Sequence, residues 1–94
     1  MRVRWLRRAL KNLDEEAEYI ARDNPQAATR IVERIATSVG QLATHPASGR
    51  PGRVPGTREL VVSGTPYIVP YRVHGETVEI LRVFHAARKW PEKF

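Results

Sequence analysis

The chain has 94 residues, no cysteine and a formal net charge of +6, and 41% of its residues are hydrophobic. That length supports one core and one domain over residues 1–94, and the apolar share is too high for a disordered chain. Absence of cysteine excludes a disulfide framework and a thiolate metal site, and no apolar run approaches the roughly 20 residues that span a bilayer, so a cytoplasmic protein with no membrane partner is expected.

The positive charge favours an acidic partner, whether nucleic acid, an acidic peptide or an anionic surface. It is spread unevenly: Arg2, Arg4, Arg7, Arg8 and Lys11 come first, then Asp14, Glu15, Glu16 and Glu18, and a second basic block of Arg50, Arg53 and Arg58 meets no acid before Glu59. The N-terminus is too charged for a signal peptide. Within it Arg2-Val3-Arg4-Trp5 alternates as a short strand with Val3 and Trp5 inward. Leu6, Ala9, Leu10, Leu13, Ala17, Ile20 and Ala21 then recur at helical spacing, with Lys11/Glu15 and Glu18/Arg22 as four-apart pairs on the wet face. The four carboxylates from Asp14 to Glu18 read as a solvated surface. This helix should stop around Arg22 and Asp23. Asn24-Pro25 restarts it, because an Asn side chain can cap orphan amides and Pro suits the first helical position. Ala28, Ile31, Val32, Ile35, Ala36, Val39 and Leu42 carry a second stripe towards His45-Pro46. Gly40 costs about 1 kcal/mol relative to Ala inside a helix, which predicts either a frayed last turn or close packing there. Two helices with so short a break form an antiparallel hairpin.

From Pro46 to Gly56 the chain is dense in Pro and Gly and reads as a connecting loop. Three strands follow: Arg58 to Val62, Tyr67 to Val73 and Thr77 to Phe84, separated by turns at Ser63-Gly64-Thr65-Pro66 and His74-Gly75-Glu76. The middle strand puts Tyr67, Val69, Tyr71 and Val73 on one face and Ile68, Pro70 and Arg72 on the other. In the last, Val78, Ile80 and Phe84 share one face and Leu81 and Val83 the other, so it should lie centrally and be covered on both sides. Pro70 has no amide for the ladder, which predicts a bulge or an unpaired edge at that point. The fold class is α+β, in the order β-α-α-β-β-β, with the N-terminal strand and helical hairpin packed on a mainly antiparallel sheet.

No glycine-rich phosphate loop precedes a helix, and Ser38, Ser48 and Ser63 lie in no nucleophile-elbow context. His45, His74 and His85 fall at separate element ends without metal-ligand spacing, so neither a metal nor a cofactor is expected. What remains is a series of arginines threaded through the strands, Arg58, Arg72 and Arg82, closing on His85-Ala86-Ala87-Arg88-Lys89-Trp90-Pro91. A histidine near arginines is suited to acid–base cleavage of a phosphodiester, the guanidiniums steadying charge on phosphate. His85, Arg88 and Arg58 would form that set. The same residues have quieter readings: His85 as a hydrogen-bonding cap of the last strand, Trp90 as the anchor of the C-terminal tail, Tyr67 and Tyr71 as core residues.

The helical hairpin, Thr57-Arg58-Glu59-Leu60, the strand from Pro66 to Val73 and the stretch from Val78 to Pro91 together resemble the RelE/ParE toxin superfamily of type II toxin–antitoxin modules. Val3-Arg4-Trp5 and the Asn24-Pro25-Gln26-Ala27-Ala28 junction fit the same family, so the resemblance covers nearly the whole chain. RelE-like members cut messenger RNA in the ribosomal A site with a set of basic residues and a late Tyr. Here the late Arg falls at Arg88, but Ile68 stands where the arginine after the strand tyrosine belongs. The strand lysine pair falls in Arg58-Glu59-Leu60-Val61, and Phe94 lies near the position of the late Tyr. The resemblance is therefore to the ParE-like branch, which implies a toxin that inhibits DNA gyrase and blocks replication and that is not itself an enzyme. It also implies neutralisation by a cognate ParD-like antitoxin, with a ribbon-helix-helix N-terminal domain, in a hetero-oligomer. Arg58, Tyr67, Arg72, Arg82, His85, Arg88, Lys89 and Trp90 are the residues expected to meet antitoxin or target. The alternative it leaves open is an mRNA endonuclease acting through His85 and Arg88, with Arg58.

Overall fold

The computed structural model describes residues 1–94. Strand β1 (Arg2–Trp5) leads into helices α1 (Arg7–Asp23) and α2 (Pro25–Gly40) and a 3₁₀ turn (Gln41–Ala43). Strands β2 (Arg50–Pro51), β3 (Arg58–Val61), β4 (Tyr67–His74), β5 (Thr77–Ile80) and β6 (Phe84–His85) follow. They lie in the order β1-β5-β4-β3-β2, with β6 beside β4. Only the β1–β5 pairing is parallel. Two helices against a mainly antiparallel sheet is the α+β architecture expected from the sequence. No helix is long and apolar enough to cross a membrane.

The break between the helices works through Asn24, whose side-chain oxygen accepts from the Ala27 amide at 3.0 Å while Pro25 opens α2. Hairpin and sheet meet through Ala9, Ile35, Val39 and Leu42 on one side and Val69, Tyr71, Val78 and Ile80 on the other, all buried. Leu10 and Ala36, expected in the apolar stripes, are exposed, Leu10 at 46%. The sheet covers one side of the hairpin only, so the flanks of each stripe stay in water. Neither Lys11/Glu15 nor Glu18/Arg22 closes to an ion pair. Such pairs contribute a few tenths of a kcal/mol, about what ordering two long side chains costs.

Gly40 ends α2 in helical geometry (φ −58°, ψ −31°), and a Cβ there would meet nothing within 4 Å. The last turn tightens into the 3₁₀ segment, and nothing packs closely on the glycine. Gly40→Ala is accordingly expected to stabilise the protein by about 0.5–1 kcal/mol, seen as a higher urea midpoint at unchanged m-value.

The strand expected over Thr77–Phe84 is in fact two. Tyr71 pairs with Ile80 and Ile68 with Phe84, so Val69 and Pro70 on β4 face three residues, Leu81, Arg82 and Val83. This is the bulge predicted for Pro70, placed on the opposite strand. The Pro70 carbonyl accepts from the Leu81 amide at 3.0 Å, but proline has no N–H to return the bond, and the ladder opens. The extra residue reverses the alternation: Val83 joins the core with Val78 and Ile80, whereas Phe84 turns to the far face beside Trp90. The segment from Pro46 to Gly56, expected to be a plain connector, contains β2, which pairs Arg50 with Glu59 and so extends the sheet.

Candidate functional site

The side chains expected to carry function fall into three groups. The first surrounds Glu59, which lies on the face of β3 away from the helices and is only 2% exposed. Arg50 donates to its Oε1 through Nε (3.1 Å) and Nη2 (3.0 Å). Arg53 donates to Oε2 through its amide (2.9 Å) and its Nε (3.2 Å). Burial alone would raise the Glu59 carboxyl, but the Arg53 amide and the two guanidiniums outweigh it and hold the group below the usual carboxylate range. The Arg53 guanidinium also lies 3.5 Å from the centre of the Trp90 ring, which packs on Phe84 at 4.7 Å; Phe94 closes on Phe84 at 5.6 Å. Loop, strand and tail are thus one unit. Trp90 is buried in it, as the tail-anchor reading had it, and the Phe94 ring is a packing group.

Arg58 belongs beside this unit. Its Nη1 donates to the carbonyls of Ala47 (3.3 Å) and Gly49 (2.9 Å). The buried Tyr71 hydroxyl pins the same loop, accepting from the Gly49 amide at 2.9 Å and donating to the Pro46 carbonyl at 2.7 Å.

The second group surrounds Glu16 of α1, one of the four carboxylates that the sequence places on a solvated surface. Tyr67 donates its hydroxyl to Oε1 at 2.9 Å and Arg88 its Nη1 to Oε2 at 2.6 Å. The Tyr67 ring is buried and stands edge-on to His85, centroids 5.5 Å apart. Burial and the Glu16 hydrogen bond push the Tyr67 phenol up to about 12. His85 accepts from the Ala87 amide at Nδ1 (3.1 Å), which leaves its ring proton on Nε2, and its carbonyl accepts from the Trp90 indole at 3.2 Å. These bonds make His85 the organiser of the turn after β6.

The third group is cationic. Arg72 pairs with Glu79 at 2.7 Å, and Arg4 approaches the same carboxylate at 3.9 Å. Arg82 donates through Nε to Asn12 Oδ1 at 2.8 Å, an oxygen that also accepts from the Val83 amide at 3.2 Å and so ties α1 to the bulge. Lys89 is exposed. A cleft of about 630 Å³ opens between the start of α1, the Val54–Thr57 loop, Arg72 and Phe94.

Tyr67, His85 and Arg88 are therefore brought together, and Trp90 is tied to them through the His85 carbonyl. Arg58, Arg72 and Arg82 are not. Tyr67 and Arg58 stand four β4 registers apart, since Arg58 pairs with Tyr71, about 13 Å at the usual strand rise. Sequence reasoning missed Glu59 and Glu16 as organisers. For Glu59 a signal existed, because it is the acid that closes a block of three arginines.

The sequence profile of the ParE toxin of the type II toxin–antitoxin system, parDE, matches residues 3–90. The chain belongs to the ParE toxin family. This ParE-family chain is 56% identical over 91 residues to Y4kP of Sinorhizobium fredii, covering 97% of the chain and 94% of that protein. It is 41% identical over 86 residues to toxin RelE2 of Caulobacter vibrioides, covering 92% and 96%. Among solved structures, a chain of the chromosomal ParDE system from P. aeruginosa matches with a TM-score of 0.81 at 33% identity, over 90% of this chain and 95% of that one. A chain of the toxin–antitoxin complex RelBE2 from Mycobacterium tuberculosis matches with a TM-score of 0.60 at 31% identity, over 89% and 95%.

Proposed function

We propose that this ParE-family chain is a toxin that inhibits DNA gyrase rather than one that cuts messenger RNA, and that a ParD-like antitoxin neutralises it in a hetero-oligomer. The observation that carries the proposal is the state of His85, Arg88 and Arg58, the three residues a nuclease would need. Both Glu16 oxygens are engaged, Arg88 is spent on that carboxylate, and Arg58 is spent on loop carbonyls. His85 offers Nε2 alone, with no second proton-transfer group: Tyr67, its ring neighbour, holds its proton at any neutral pH. Such a site grips and does not transfer protons. The higher TM-score to the ParDE chain, 0.81 against 0.60 for the RelBE2 chain, supports the same branch.

The antitoxin reading rests on the two structural neighbours, described as a ParDE system and a RelBE2 complex. The surface is suited to such a partner: Leu10 and Tyr19 are exposed along α1, Val61 and Val73 on the sheet, and the chain carries a net charge of +6. An acidic amphipathic segment would cover the first and neutralise the second. The exposed Lys89 and the half-buried Arg82, which are in no ion pair, are the cations that target or antitoxin would meet first, with the exposed Arg72 and Arg88 reachable only in exchange for Glu79 and Glu16. One observation favours the second reading, a message-cutting toxin using His85, Arg88 and Arg58: the identity to a protein named RelE2.

Induction of the toxin in growing cells separates the two. With labelled thymidine and labelled methionine supplied together, thymidine incorporation should fall first and message should stay intact by primer extension. An early fall in methionine incorporation with cut message, abolished by His85→Ala, would transfer the proposal to the nuclease reading.

A further inference from the structure

The start of α1 is electrostatically inverted. A helix N-terminus carries partial positive charge and favours acidic or capping side chains. Here the first turn holds no acid, Leu6 at the cap position supplies no side-chain bond, and Arg7 and Arg8 are the first two helical residues. The first helical hydrogen bonds run from the Ala9 and Leu10 amides to the Leu6 carbonyl, which leaves the Arg7 and Arg8 amides without a backbone acceptor.

More positive charge converges on the same place. Arg8, Lys11 and Arg82 line a shallow depression of about 270 Å³ with Asn12 and Glu15, and no apolar residue faces it. The five ion pairs of the protein use Arg4, Arg50, Arg53, Arg72 and Arg88, so Arg7, Arg8, Lys11 and Arg82 have no carboxylate within 4.0 Å. Asn12 holds Arg82 by Nε and thereby aims it, leaving the two terminal nitrogens to a ligand. Burial and the charge on Arg8 both weigh against the Arg82 cation, Glu15 alone favouring it. Within the free protein no carboxylate within 4.0 Å offsets that repulsion. An arriving anion would relieve it.

We infer that Arg8, Lys11 and Arg82, at the uncapped start of α1, form a site for the phosphate backbone of duplex DNA. The depression has only polar walls, so it suits phosphate oxygens and has no place for the apolar side chains of an amphipathic peptide. Arg8 also lines the larger cleft with Arg7 and Arg72, so the cations continue as a band suited to successive phosphates. The assignment of DNA over another polyanion rests on the gyrase reading: a toxin that inhibits an enzyme working on duplex DNA would contact the duplex beside its protein target.

The test uses the full chain and a fluorescent mixed-sequence duplex of about 20 base pairs, with binding followed by polarisation across salt concentrations. Arg8→Glu with Lys11→Glu should weaken binding by about tenfold or more and make the salt slope shallower by about 2. Arg8→Glu alone should raise the thermal midpoint, because an acid suits the first turn of a helix. Arg30→Glu with Arg34→Glu alters net charge equally on α2 and should change affinity by less than about twofold if local contacts, and not steering, hold the duplex. Equal weakening by both double variants would overturn the site, as would tighter Arg8-dependent binding of a poly-glutamate peptide than of the duplex. A gyrase arm keeps the two ideas apart. Trapping of cleaved DNA that persists in Arg8→Glu/Lys11→Glu removes the site and leaves the gyrase reading. Arg8-dependent duplex binding by a toxin that leaves gyrase untouched does the reverse.

Discussion

Glu59→Gln is expected to destabilise the protein by about 2–3 kcal/mol, below the 3–5 typical of breaking a fully buried ion pair, because its two arginine partners are half exposed and regain water. The carboxylate accepts four hydrogen bonds, and an amide can accept at only one of its two ends. Loss of Arg53 from this group also releases the cation that sits on Trp90, so loop and tail should loosen together. Urea unfolding gives the magnitude, and faster amide exchange over residues 50–53 and 84–90 gives the location. The pH dependence follows from the lowered carboxyl. The unfolded chain takes up the proton first as pH falls, so the contribution of Glu59 is complete above the ordinary value of 4.5 and is lost as pH drops through the lower folded value. Wild type and Glu59→Gln should therefore converge in acid. A stability gap unchanged between pH 7 and pH 3 would contradict this account of the cluster.

The second large effect is Gly49→Ala. Gly49 has no positive φ, so its conformation is open to any residue; space is the constraint. A Cβ there would stand 2.6 Å from Tyr71 Cε1, 2.7 Å from its hydroxyl and 3.0 Å from the Glu59 carbonyl. Tyr71 is fully buried, and the Glu59 oxygen is backbone within β3, so neither yields cheaply. Overpacking of this kind costs about 1–3 kcal/mol, and displacing the Tyr71 hydroxyl also breaks its bonds to Gly49 and Pro46, for a total of about 3–4 kcal/mol. That is a large share of the roughly 5–14 kcal/mol expected of a chain this size, and thermal unfolding should show it as a much lower midpoint. Tyr71→Phe in the same background should recover part of the loss by removing the hydroxyl that clashes.

The helices were legible because their signals are local. Asn24-Pro25 states the break and the apolar spacing states the faces, with nothing needed from elsewhere in the chain. The bulge was half legible: Pro70 announces that a ladder must open, but the opening falls on Leu81–Val83, eleven or more residues away, where the sequence reads as an unbroken strand. Strand β2 was invisible, because two residues in a loop rich in Pro and Gly carry no periodicity and pair only once β3 exists. The site was read less well than the fold for the same reason. Charge counting finds Arg50, Arg53 and Arg88 as cations, but whether each is free or committed depends on Glu59 and Glu16. Glu16 meets Tyr67 across 51 positions of sequence. The resemblance drawn over Val3 to Pro91 corresponds to the family match over residues 3–90, while the choice between gyrase and message turns on how individual side chains are engaged.

The most direct measurement mixes the purified chain with DNA gyrase, ATP and relaxed plasmid, then stops the reaction with detergent and protease. Supercoiling should fall and linear plasmid should accumulate with toxin concentration, and prior addition of the cognate antitoxin should prevent both. Undiminished supercoiling without linear DNA, from a preparation that still arrests growth when produced in cells, would contradict the account.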